Sequence, residues 1–202
     1  MRKSLPVIVI LALGVLVLRA RLGDVPVVGP SGGGLGYLAV YGTLPGFSLV
    51  DTAGNPFTDG SVKGSVWVAS FIFTRCGGPC PVLCGRMADL QEEFRAERGV
   101  RLVSVTVDPD YDTPRILAAF AARVRADPER WVFATGEKEA VHALARDGFK
   151  LGGTEDVTLH STRFVLVDAL FRIRGYYDGT DAAAFAALRS DLRALLRAEG
   201  GP

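Results

Sequence analysis

Cysteine and histidine are scarce in this 202-residue chain: there are three cysteines, all between Cys76 and Cys84, and two histidines, His142 and His160. A disulfide framework spreads its cysteines along the chain to close loops, so that class is excluded and the cluster reads as a site. Long apolar runs are lacking too. The uncharged stretch Leu5 to Leu18 has fourteen residues, about 21 Å as a helix against a hydrocarbon core of roughly 30 Å. Basic clusters are missing from the body of the chain. Beyond residue 24 there are nineteen basic and twenty-one acidic residues, a net of −2, which leaves no nucleic-acid footprint. No internal repeat is present.

What is there begins with Arg2 and Lys3, followed by that apolar run and then Arg19-Ala20-Arg21, with no small-x-small cleavage pattern behind it. Arginines snorkel to the headgroups and let a short helix span. Residues 1–22 are therefore expected to form an uncleaved signal anchor or transmembrane helix, with a cleaved signal peptide as the alternative. Residues 23–44, with Pro26, Pro30 and Ser31-Gly32-Gly33-Gly34, read as a flexible linker. Nearly half of the residues are apolar, enough for one sizeable core, and residues 45–202 are expected to hold it.

Val66 to Phe73 (VWVASFIF) is a continuous β-prone run, the pattern of a strand buried on both faces. A helix follows from about Pro81, with Leu83, Met87, Leu90 and Phe94 on one face, and then a second buried strand, Val100 to Val107. That is a βαβ unit with parallel strands. Thr113-Pro114 opens the next helix, a capping hydroxyl before a proline. Trp131 to Phe133 is a short strand and Glu137 to Arg146 a helix. Arg163–Val167 and Arg172–Tyr177 pair as a hairpin, and Asp181 starts the last helix. Ahead of all these, Pro45 to Val50 reads as a short strand and Asp51 to Asn55 as a turn. The class is α/β, a three-layer sandwich.

The segment Cys76-Gly77-Gly78-Pro79-Cys80-Pro81 falls between a buried strand and a helix start. Ligands gather beyond the carboxyl ends of parallel strands, and the helix N-terminus favours negative charge, so a thiol placed there gains thiolate character. The two glycines are expected to let the backbone turn tightly. Two thiols three residues apart can close a disulfide or pinch one soft metal ion: Cu(I), zinc or an iron–sulfur centre. An added imidazole favours copper. His142 lies mid-helix and reads as solvent-facing, while His160 lies in a loop before the strand RFVLVD.

The segments FIFTRCGGPCP, SVTVDPDYDTP, HSTRFVLVD and IRGYYDG occur in order. Together they resemble the Sco/SenC family, thioredoxin-like proteins that help assemble the copper centre of cytochrome c oxidase. The likeness spans about Pro45 to Leu195. It implies a thioredoxin-like fold behind an N-terminal membrane-anchor helix, with the domain on the outer (periplasmic or equivalent) face of the membrane. It implies Cys76, Cys80 and His160 as ligands of Cu(I) or Cu(II), and Cys76 with Cys80 as a redox-active pair able to form a disulfide. It implies as partners the copper-bearing subunit of cytochrome c oxidase, and a thioredoxin-like reductant or another copper chaperone. Asp108 matches an aspartate near the site in that family and also reads as a strand-end turn former; Asp112 reads as a helix-start residue rather than a ligand. The chain departs from the family at Gly77-Gly78, where proline often follows the first cysteine, at Leu159, where aspartate is frequent, and at the additional Cys84. Cys84 reads as a small buried hydrophobe.

Two functions follow. The first is a metallochaperone that passes copper by ligand exchange. The second is a membrane-anchored thiol–disulfide oxidoreductase without obligatory copper. Spacing alone leaves open which cysteine attacks. A peroxiredoxin is disfavoured because Thr74 stands two residues before Cys76 rather than three. A structural zinc site is disfavoured because it needs four ligands.

Overall fold

Seven consecutive residues, Val66–Ile72, are all buried, which a strand achieves only when both of its faces are covered. The computed structural model describes residues 38–152 and 161–199. Along them run β1 (Gly42–Thr43), β2 (Ser48–Asp51), β3 (Pro56–Thr58), β4 (Val66–Ile72), α1 (Cys80–Glu93), β5 (Val100–Thr106), α2 (Pro114–Arg123), β6 (Trp131–Thr135), α3 (Lys138–Ala143), β7 (Arg163–Val167), β8 (Arg172–Asp178) and α4 (Ala182–Glu199). The strands form one sheet in the order β1-β8-β7-β4-β5-β6-β2-β3. β4, β5 and β6 are parallel, and β7 joins β4 antiparallel.

The pleat divides the core. Val66, Val68 and Ile72 pack with Leu83 and Met87 of α1, Leu117 of α2 and Leu188 and Leu192 of α4. Trp67, Ala69 and Phe71 point to the other face, toward Val141 of α3, Leu144 and Phe149. Helices therefore cover both faces, and the three-layer α/β sandwich expected from the sequence is the observed one.

The expected βαβ unit is present with its strands parallel. Thr113 caps α2, its hydroxyl accepting the Ile116 N–H at 3.4 Å, with Pro114 in the first turn. The hairpin of β7 and β8 runs one residue longer than expected, to Asp178. Two local differences have clear causes. The helix expected over residues 137–146 stops at Ala143 and widens into a π turn, Leu144–Gly148, in which Phe149 N–H donates to the Leu144 carbonyl at 2.8 Å. The extra residue swings Phe149 inward, edge-on to Trp67 and Phe71. At the other end of the chain, residues 38–44, read as the end of a linker, pack on the domain. Gly42 and Thr43 pair with Ile173 and Arg172, Leu38 and Leu44 are buried, and Arg174 Nη2 donates to the Leu38 carbonyl at 2.7 Å. The anchor helix expected over residues 1–22 lies outside the described residues. Among the described residues no helix is long and apolar enough to cross a membrane.

Candidate functional site

β4 and β5 end side by side, Val107 N–H donating to the Ile72 carbonyl at 2.8 Å. Backbone leaving the carboxyl ends of adjacent parallel strands opens a crevice, and the cysteine loop lies there. Its bend is closed by Cys76 N–H on the Phe73 carbonyl at 3.1 Å. Cys76 is half-buried, and Cys80, the first residue of α1, is 5% exposed. Cys84, one helical turn on, is 3% exposed and packed in the core, as a small hydrophobe would be. All three are free thiols.

Gly77 and Gly78 do not serve the role expected of them. Neither has a positive φ. A Cβ on Gly77 would meet nothing within 4 Å, and one on Gly78 would stand 4.0 Å from Cys76 Sγ. They leave the thiol uncovered rather than permit a special turn.

The two thiols are joined and unequal. Burial raises the Cys76 thiol, but hydrogen bonds from the Cys80 side chain and from the Cys80 and Gly78 backbone N–H groups outweigh it, so its pKa falls below the ordinary value. These amides belong to the opening of α1, where free N–H groups point outward. Burial pushes Cys80 up to about 12, the bond to Cys76 adding to the effect. Burial also pushes Cys84 up to about 11. One thiol is thus acidic and reachable while its neighbour is held protonated.

Side chains missed in the sequence brace this loop. Arg75 Nη2 donates to Asp108 Oδ2 at 2.6 Å, and its guanidinium lies 4.0 Å from the Tyr111 ring centre. Asp108 is also the turn former expected of it, its carbonyl accepting the Tyr111 and Asp112 N–H groups. Asp112 sits at the start of α2, as expected, but its side chain turns inward to Thr74 and Thr106. A carboxylate six residues after a strand-end threonine carries no pattern that would announce this. His142 corrects the sequence reading: it is half-buried rather than solvent-facing, with Nε2 3.3 Å from the Val107 carbonyl oxygen.

His160 lies outside the described residues. The residues after it do not. The antiparallel pairing of Ala69 with Val165 sets the start of β7 beside the end of β4. The Thr162 carbonyl accepts the Gly179 N–H at 2.6 Å, and a Cβ on Gly179 would stand 2.1 Å from Leu83 Cδ2 in α1. Thr162 is therefore fastened against the helix that carries Cys80. Among the described residues no group of three or more His, Cys, Asp or Glu side chains gathers as a metal cage; the donor set there is the thiol pair.

The sequence pattern of the SCO1/SenC family matches residues 41–196. The chain belongs to that family. It is 34% identical to the SCO1 protein homolog of Bacillus subtilis (strain 168) over 139 residues, covering 66% of this chain and 72% of that protein. Among solved structures, this SCO1/SenC chain superposes on BsSco with a TM-score of 0.70 at 30% identity, over 81% of this chain and 98% of that one. BsSco is described as a member of the Sco family of cytochrome c oxidase assembly proteins in which a disulfide switch is identified. The fold is shared with ScoI of Bradyrhizobium japonicum, solved with copper bound, at a TM-score of 0.62 and 21% identity, over 77% of this chain and 100% of that one.

Proposed function

We propose that this SCO1/SenC chain binds copper through Cys76, Cys80 and His160 and serves the assembly of the copper centre of cytochrome c oxidase. The observation that carries the reading is the placement of half-buried Cys76 and buried Cys80 together at the opening of α1, beyond the end of β4. Two sulfurs within reach of one ion, one of them half-exposed, suit a soft metal and leave it open to attack by a recipient's thiolates. The fastening of Thr162, two residues beyond His160, against α1 supports a third ligand from that loop. Copper would be the cargo, released as recipient sulfurs displace Cys76 and Cys80 in turn.

The test is anaerobic Cu(I) titration of the full chain. One equivalent is expected to bind to wild type and to Cys84→Ser, and to be lost in Cys76→Ser, Cys80→Ser and His160→Ala. Affinity is expected to fall on acidification, because protons compete for thiolate and imidazole. A chain that binds no copper, or a His160→Ala variant with unchanged affinity, would end this reading.

The inequality of the thiols favours a second activity at the same site. The low-pKa, reachable Cys76 suits attack on a disulfide of the recipient. Its thiolate would bond to one recipient sulfur as the other leaves as thiolate. Cys80 would then give up its proton and attack the Cys76 sulfur, freeing the second recipient thiolate. The recipient gains two electrons and this chain is left with a Cys76–Cys80 disulfide. Residues 1–22 would anchor the domain and the residues from 23 to the start of its packed edge at Leu38 would tether it, with the site on the outer face of the membrane. A thioredoxin-like reductant would regenerate the dithiol, and another chaperone would supply copper.

A further inference from the structure

Asp112 is 0% exposed. Its hydrogen bonds, among the described residues, come from Thr74 N–H at 3.0 Å, from the Thr74 hydroxyl and from the Thr106 hydroxyl at 2.6 Å, none of them a basic side chain. A carboxyl is costly to withdraw from water unless its oxygens are bonded, so its burial needs a reason. Helix capping is not the reason, because Thr113 already caps α2. All three contacts reach instead to the exits of β4 and β5. Thr74 is held at both its amide and its side chain, and only Arg75 separates it from Cys76. Thr106, the other anchor, is the last residue of β5 and also accepts the Asp108 N–H at 3.0 Å.

We propose that Asp112 is a positioning residue for the thiol pair: by pinning Thr74 to the end of β5 it delivers Cys76 against Cys80 and the first amides of α1. This rests on the reading of Cys76 and Cys80 as the functional pair. The role is one of geometry rather than charge. An amide at position 112 keeps one oxygen for Thr74 N–H and the Thr106 hydroxyl, and its NH₂ faces the Thr74 hydroxyl, which can turn to accept. Pre-alignment raises the effective concentration of one thiol at the other. Loss of Asp112 is therefore expected to disfavour the ring-closed Cys76–Cys80 disulfide.

The experiment equilibrates the full chain with mixtures of reduced and oxidised glutathione, in which oxidised glutathione takes two electrons and two protons from the pair and leaves as two thiols. The Cys76–Cys80 disulfide is quantified by peptide mapping. Asp112→Ala, which removes all three bonds, is expected to lower the equilibrium constant about three- to tenfold, the part of their loss felt as misalignment of the thiols. Asp112→Asn is expected to restore it. Leu195→Ala, a core truncation far along α4, is expected to leave it unchanged although the protein is less stable. An Asp112→Ala constant equal to wild type, an equal shift in Leu195→Ala, or no rescue by Asp112→Asn would each overturn the proposal. Should Asp112→Ala fail to fold, Thr74→Val and Thr106→Val each remove one hydroxyl, and no shift in either would overturn it as well. A wild type that forms no such disulfide and binds no Cu(I) would instead remove the functional reading on which this one stands.

Discussion

Arg75 Nη2 and Asp108 Oδ2 meet at 2.6 Å across the mouth of the cysteine loop, the arginine side chain 56% exposed and the aspartate 27%. An ion pair this open to water adds little to stability. Arg75→Ala is accordingly expected to leave the urea midpoint near that of wild type. Its effect should appear instead at Asp108, freed to face whatever Cys76 binds, as a change in Cu(I) affinity measured by competition.

The acidity order of the thiols predicts a labelling order. With Cys76 below the ordinary thiol value and half-exposed, and Cys80 and Cys84 raised to about 12 and about 11, iodoacetamide at neutral pH should modify Cys76 first. The rate should fall only as pH drops through that depressed value, since thiolate is the reacting form. Peptide mapping that found Cys84 labelled first would contradict the geometry.

Cys84 also predicts how stability responds to alkali. Burial keeps its thiol protonated up to about 11, against an ordinary value of 9.0. Between these values the unfolded chain has released the proton and the folded chain has not, so the folded state loses ground as pH rises. Wild type should lose up to about 1.4 kcal/mol per pH unit more than Cys84→Ala in that window. Urea melts of both proteins at matched pH measure the difference, and parallel pH profiles would rule it out.

Gly179 and Gly77 should answer to alanine in opposite ways. At Gly179 a Cβ would stand 2.8 Å from the Thr162 carbonyl oxygen and 2.1 Å from Leu83 Cδ2. Backbone must move, at a cost of about 1–3 kcal/mol. The same movement would part Thr162 from α1, so Cu(I) affinity should drop with it. At Gly77 nothing lies within 4 Å and φ is ordinary. There alanine should be neutral or stabilising by up to about 1 kcal/mol.

The layers, the parallel pair and the position of Cys76 and Cys80 were legible because each has a local cause: uninterrupted β-prone runs, a Thr-Pro helix start, a cysteine pair between strand and helix. Other features depend on partners distant in sequence. β1 is two residues long and exists only because β8 offers an edge. The inward turn of Asp112 needs Thr74, thirty-eight residues away. The π turn after α3 depends on a slot for Phe149 between Trp67 and Phe71. The inequality of the two thiols is of the same kind, since spacing treats them alike and only burial together with the hydrogen bonds each receives separates them.

The sheet is closed off at its rims by its two shortest strands. β1 contributes two residues, and β3 contributes three that begin with Pro56, which has no N–H to offer. A strand from a second molecule finds almost no ladder to extend. Copies crowded side by side at high local density would therefore resist edge-to-edge aggregation, although the strands between those rims are among the most β-prone in the chain.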